Sequence, residues 1–212
     1  MPLELWLAYV ATSAVVLAIP GPTILLVLSY SIAHGRKATL PLVAGVALGD
    51  SLAITLSLIG LGTLLSASAF WFTLIKWMGG LYLIYLGVRL MRGATKPIQL
   101  QAPLAQQASP RKLFANAFIV TALNPKSIVF FIALLPQFIS AAHPAAPQLW
   151  ILGITFVVLA TIGATIYALF AASIRRFLAS PRAQMAYSYI GGGLLCGAGV
   201  WALSAKRVIS TA

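Results

Sequence analysis

The chain has 212 residues, 61% hydrophobic and only 8% charged, with 14 Lys and Arg against two acids and a net charge of +12. A water-soluble domain carries about 25% charged residues, so composition excludes one and points to an integral membrane protein. The positive charge does not mark a nucleic-acid binder. No basic helix face or aromatic–basic interleaving occurs, and the cations fall between apolar runs.

Six runs are long enough to cross a hydrocarbon core of about 30 Å, which takes about 20 residues of helix. They lie near Leu5–Ser31, Ala38–Leu65, Ala69–Met91, Leu113–Ala142, Leu149–Ile174 and Ala183–Ala205. Alternating ten-residue patterns of a closed barrel are absent, so the predicted fold is an all-α membrane protein with six transmembrane helices. The N-terminal Met-Pro-Leu-Glu lacks the basic flank of a cleaved signal peptide, so the first run is expected to be a retained span. Cys196 is the one cysteine, which excludes an intramolecular disulfide or a thiol-based metal cluster. His34 and His143 fall in connections, so neither a metal nor another cofactor is expected.

Ten of the 14 cations lie in the first, third and fifth connections: Arg36, Lys37, Arg89, Arg92, Lys96, Arg111, Lys112, Arg175, Arg176 and Arg182. The positive-inside rule makes that side cytoplasmic and places both termini outside. Lys76 is expected to snorkel outward from the third span, and Trp71, Trp77 and Trp201 to anchor span ends. Residues 92–112, rich in Gln, Pro and Ala, are expected to form a cytoplasmic linker between repeats at 1–91 and 113–212 within a single transmembrane domain. Ala18-Ile-Pro-Gly-Pro-Thr-Ile24 aligns with Ala122-Leu-Asn-Pro-Lys-Ser-Ile128. Three helices per half would make the repeats inverted, 3+3, with helices 1 and 4 broken.

The chemistry concentrates at those two breaks. Pro20, Pro22 and Pro125 lack the N–H that would bond the carbonyl four residues back, freeing Val16, Ala18 and Thr121. In lipid such groups survive only against protein or a wet cavity. Beyond each break a half-helix start suits an anion, with Gly21, Thr23, Asn124 and Ser127 close by. Asp50 and Lys126 each fall roughly 18–20 Å from the basic side, near mid-depth, where a charge costs at least about 2.5–3.5 kcal/mol. A structural salt bridge between them is the plain alternative to a pathway role. Gly45 and Gly49, like Gly193 and Gly197, have the four-residue spacing of helix-packing glycines. Tyr30, Tyr82, Tyr85 and Tyr167 are candidates for shaping selectivity.

Taken in order, Pro20-Gly21-Pro22, Gly49-Asp50, and Asn124-Pro125-Lys126 leading to Leu135-Pro136-Gln137-Phe138 resemble the LysE/RhtB family of amino-acid exporters. The resemblance spans essentially the whole chain. It implies proton-driven export of an amino acid or close derivative from the cytoplasm across a bacterial inner membrane. The partners implied are a small-molecule amino-acid substrate, protons and the lipid bilayer, with no nucleic acid and a homodimer left open. Half-helix starts and Lys126 would receive the substrate carboxylate, and Asp50 or freed carbonyls its ammonium. An inorganic-cation exporter and a non-transporting scaffold subunit are the alternatives. Enzymatic activity is not expected, since no nucleophile–base pair lies within a span.

Overall fold

The structure is a computed structural model that describes residues 1–19, 21–67, 69–94, 108–140, 142–178 and 180–204. Pro20, residues 95–107 of the expected linker, and the side chains of Trp71 and Lys76 lie outside that description. Helices follow as α1 (Leu3–Ala18), α2 (Pro22–His34), α3 (Thr39–Ala67), α4 (Ala69–Arg92) and α5 (Pro110–Ala122), then α6 (Pro125–Ala133), α7 (Ala145–Leu169), α8 (Ala171–Leu178) and α9 (Pro181–Ser204). No strand occurs among the described residues. Short 3-10 turns at Gly35–Ala38 and Leu135–Phe138 follow α2 and α6.

The punctuation is local chemistry. Pro22, Pro110 and Pro125 sit in the first turns of α2, α5 and α6, where a missing N–H costs nothing and the fixed φ favours a helix start. Ser109 and Asn124 cap α5 and α6, each side chain accepting the backbone N–H of Lys112 and Lys126 at 3.3 and 3.1 Å. Gly35 ends α2 at φ 65°, a left-handed conformation that glycine alone adopts without strain.

Four stretches of the described residues are long and apolar enough to cross a bilayer: Pro22–Gly60, Pro110–Phe138, Ala145–Leu169 and Pro181–Ser204. The sequence leads to six runs. The first run is divided, leaving 16 residues in α1, and α4 spans 24 residues, several of whose side chains lie outside the description. In α7 the buried face carries Leu152, Gly153, Phe156, Ala160, Ala164 and Ala168, while Ile151, Ile154, Val158, Ile162 and Ile166 point outward. Small residues inside and branched apolar residues outside is the pattern of a helix packed in lipid, where closeness of backbones drives association. The protein is a multi-pass membrane protein.

Two packed cores lie on either side of the interruptions at residues 19–21 and 123–124. One joins Tyr9, Val16 and Ile19 to Phe130, Phe131, Phe138 and Phe156. Its aromatic pairs meet edge-on, Phe131 with Phe156 at 4.6 Å and Tyr9 with Phe138 at 5.2 Å between centroids. The other joins Val27 of α2 to Leu42, Val46, Leu113, Ala117, Ala164 and Ala168. So α1 shares a core with α6, and α2 with α5.

Glycines set the two closest seams. Gly45 and Gly49 of α3 face α5: a methyl on them would lie 2.6 Å from the Phe114 carbonyl and 2.8 Å from that of Phe118. The two helices run parallel, since the contact advances in step along both. Gly80 and Gly87 of α4 face Gly199 and Gly192 of α9 in an antiparallel seam. There a methyl on Gly87 would lie 2.5 Å from the Gly192 carbonyl, and one on Gly199 2.6 Å from the Gly80 carbonyl. The four-residue spacing of Gly193 and Gly197 points to the wrong side of α9. Both meet nothing within 4 Å and line an open groove of about 370 Å³ against Ala11, Thr12 and Val15 of α1. Gly192→Ala and Gly199→Ala are therefore expected to destabilise the fold by about 1–3 kcal/mol through overpacking. Gly193→Ala and Gly197→Ala should hold or raise stability, because Ala exceeds Gly in helix propensity by about 1 kcal/mol. Thermal unfolding of the four purified variants in detergent separates the two pairs.

Candidate functional site

The end of α1 and the starts of α2 and α6 meet. Helix α1 stops at Ala18 and Ile19 is extended, at φ −78° and ψ 112°. The first intrahelical bond of α2 is Leu25 N–H to the Gly21 carbonyl at 3.0 Å. Carbonyls freed at the end of α1 are met by side chains from three other helices. Lys126 Nζ donates to the carbonyls of Val16 at 2.9 Å and Ile19 at 2.7 Å. The hydroxyls of Tyr167 and Tyr187 both donate to the carbonyl of Ala18, at 2.7 and 2.8 Å. At the second interruption the Thr121 carbonyl accepts the Asn124 N–H at 3.1 Å, a local tightening of the last turn. Each freed acceptor thus has a named donor, as an apolar surrounding demands.

Behind this collar lies a polar knot. Thr23 Oγ1, in the first turn of α2, accepts from Asn124 Nδ2 at 3.1 Å and from Thr121 Oγ1 at 3.3 Å. All three side chains are buried, and they tie the start of α2 to the junction of α5 and α6. Asp50 stands beside Gly49, whose Cα packs on Thr121, and is 3% exposed. Its Oδ1 has no hydrogen-bond partner among the described residues, and Lys126 lies within electrostatic reach. Ser127 is buried one residue beyond Lys126.

In front of the collar is a cavity of about 400 Å³. Its wall brings together Gly21 and Pro22 of the first interruption with Asn124, Pro125 and Lys126 of the second. Gly21 is where the lysine crosses: a methyl there would sit 3.5 Å from Lys126 Nζ. Of the residues singled out in the sequence, Thr23, Asp50 and Ser127 are close but not on this wall, and Pro20 is not described. Gly45 and Gly49 lie at the α3–α5 seam, and Gly193 and Gly197 border the separate groove.

The cavity also gathers residues that sequence reasoning did not assign to a site: Arg89 of α4 and Ser188 of α9, with Tyr82 among the aromatics. Tyr82, Leu86, Arg89, Leu90 and Gly93 recur at helical spacing along one face of α4, so the signal was present. The positive-inside rule accounts for Arg89 as a cation at a helix end. The other aromatics diverge: the Tyr30 hydroxyl accepts from Asn116 Nδ2 at 2.6 Å, and Tyr85 is exposed away from the cavity.

Tyr167 and Tyr187 share one acceptor, so each can stand in for the other. Tyr167→Phe or Tyr187→Phe alone is expected to cost under about 1 kcal/mol, whereas the double change leaves the Ala18 carbonyl unpaired and costs about 1–3 kcal/mol beyond the sum. A double-mutant cycle of thermal unfolding in detergent measures that excess.

The profile of the LysE type translocator family matches residues 14–206. A homoserine/homoserine lactone efflux protein of Salmonella typhimurium is 38% identical over 207 residues, covering 98% of this chain and all of that protein. An uncharacterized membrane protein of Vibrio cholerae is 34% identical over 211 residues, covering 97% of this chain and all of that one. No solved structure matches. With 97–98% of its length aligned to such relatives and its interrupted helices meeting around a cavity, the chain belongs to the LysE type translocator family and is a transporter, not an enzyme.

Proposed function

We propose that this protein exports a small amino acid of the homoserine class, or its lactone, from the bacterial cytoplasm in exchange for protons. The observation that carries the proposal is the cavity of about 400 Å³ where both helix interruptions meet. That volume is at the small end of the roughly 300–1,000 Å³ of ligand pockets, as suits a substrate of a few heavy atoms. The substrate class comes from the Salmonella typhimurium efflux protein, which is 38% identical over 98% of this chain.

Six crossings give the arrangement its simplest topology. The α1–α2 pair forms the first, α3 and α4 the next two, α5–α6 the fourth, and α7 and α9 the last. Such alternation makes α3 parallel to α5 and α4 antiparallel to α9, in agreement with the two glycine seams. It also brings α1 level with α6 and α2 level with α5, in agreement with the shared cores. The halves 1–91 and 113–212 would then be inverted repeats joined by a cytoplasmic linker, with the termini outside.

Within this frame the substrate carboxylate approaches the first turns of α2 and α6 and the ammonium of Lys126. Two of the three N–H groups of Lys126 go to Val16 and Ile19, which leaves one for substrate. Asp50, behind the collar with an unpartnered oxygen, is the coupling carboxylate. It exchanges a proton as Lys126 turns between the collar and the substrate. An inorganic cation would find no ligand set here: the described cavity wall has two cations and no acid.

Purified protein in liposomes held acid inside should accumulate labelled homoserine, and a protonophore should abolish the accumulation. Absence of movement with or without the gradient overturns the proposal. Asp50→Asn is expected to lower gradient-driven accumulation at least tenfold while homoserine–homoserine exchange persists. Equal loss of both would make Asp50 structural, and undiminished accumulation would remove it from coupling.

A further inference from the structure

We infer that Arg89 is the principal receptor for the substrate carboxylate and sets the preference for the free amino acid over its lactone. The inference rests on the function proposed above and extends it to a residue outside the interrupted helices.

Position comes first. Arg89 sits in the last turn of α4, on the face that supplies Tyr82, Leu86 and Leu90 to the cavity wall. Arg92, three residues on, is exposed as well but is not part of that wall. A cation needed only to anchor the helix end in the membrane surface is thus already supplied by Arg92. Arg89 is turned to the cavity instead.

Charge comes second. The chain has two acids, Glu4 and Asp50. Glu4 is in the first turn of α1, about 20 Å of helix from the end that reaches the cavity. Asp50 is buried on α3, within electrostatic reach of Lys126 and off the cavity wall. Arg89 therefore has no internal counter-ion, and its guanidinium makes no hydrogen bond or ion pair among the described residues. A permanent cation on a wall that also carries Ile19, Leu25 and Leu195 lacks only an anion from outside.

Chemistry decides between the two cations of the wall. Lys126 has a single N–H to spare, because the end of α1 holds the other two. Arg89 keeps its five donors, in a planar fork that pairs with a carboxylate through two parallel bonds. Of the pair named for the Salmonella typhimurium protein, homoserine presents a free carboxylate and the lactone, a cyclic ester, presents none. A carboxylate receptor at Arg89 therefore separates two compounds that are otherwise close in size.

The test compares the reconstituted full chain with Arg89→Gln, Arg89→Lys and Arg92→Gln in phosphatidylethanolamine–phosphatidylglycerol vesicles. Homoserine and homoserine lactone are assayed side by side, at mildly acid pH where the lactone persists. Arg89→Gln should raise the homoserine KM and lower the homoserine-to-lactone ratio of kcat/KM at least tenfold. Arg89→Lys, with charge but no fork, should fall between, and Arg92→Gln should keep the wild-type ratio. A ratio unmoved by Arg89→Gln overturns the inference. So does an equal loss for Arg89→Gln and Arg92→Gln, which would make both residues contacts for lipid phosphate. Thermal stabilisation by homoserine in detergent reads the same residue without transport. If the wild type moves neither compound yet is stabilised by homoserine through Arg89, the transport proposal fails and the Arg89 inference stands. No stabilisation of the wild type by homoserine overturns Arg89 as well.

Discussion

Everything in this protein hangs on how the last carbonyls of α1 are satisfied. Under the proposed topology α1 ends at membrane depth, where each acceptor left unpaired would cost several kcal/mol. Here the donors are imported from distant parts of the chain. Lys126 comes from the start of α6, Tyr167 from α7 and Tyr187 from α9. The same contacts that make the break tolerable therefore bind four helices at one point. Removing the prolines would remove the need for the collar, and with it the reason for a polar centre in an otherwise apolar bundle.

That collar also explains why a lysine can stand there. A cation in hydrocarbon is expensive unless it is paired or bonded to backbone oxygens. Lys126 meets two carbonyls directly and has Asp50 within electrostatic reach. Its side chain runs past Gly21, where an added methyl would meet Cε and Nζ in ordinary van der Waals contact at 3.5 Å. The segment that breaks the backbone thus lies against the side chain that repairs it. Asn124 plays the complementary part, capping α6 with its oxygen and holding Thr23 with its nitrogen.

The breaks could be read from the chain because proline's missing N–H is a property of the residue itself. Pro22 and Pro125 begin helices, and the carbonyl of Ala18 is freed as the covalent structure requires. Who satisfies such a carbonyl is a tertiary matter, so Tyr167 and Tyr187 were invisible in that role. The spacing of small residues showed that helices could approach, but not on which side. Gly45 and Gly49 face α5, whereas in α9 the contact falls to Gly192 and Gly199. Arg89 escaped for a different reason: a general rule about basic residues at cytoplasmic ends already accounted for it, and only the cavity distinguishes it from Arg92.

The glycine seams carry a mechanical corollary. Helices whose backbones touch without intervening side chains slide or rotate past one another only by losing many close contacts at once. The seams weld α3 to α5 and α4 to α9, so each weld takes one helix from either half of the sequence. Stiff plates of this kind cut across the order of the chain. Any opening and closing of the cavity would then be a hinge between crosswise pairs, with the ends of α1, α2 and α6 meeting at its wall.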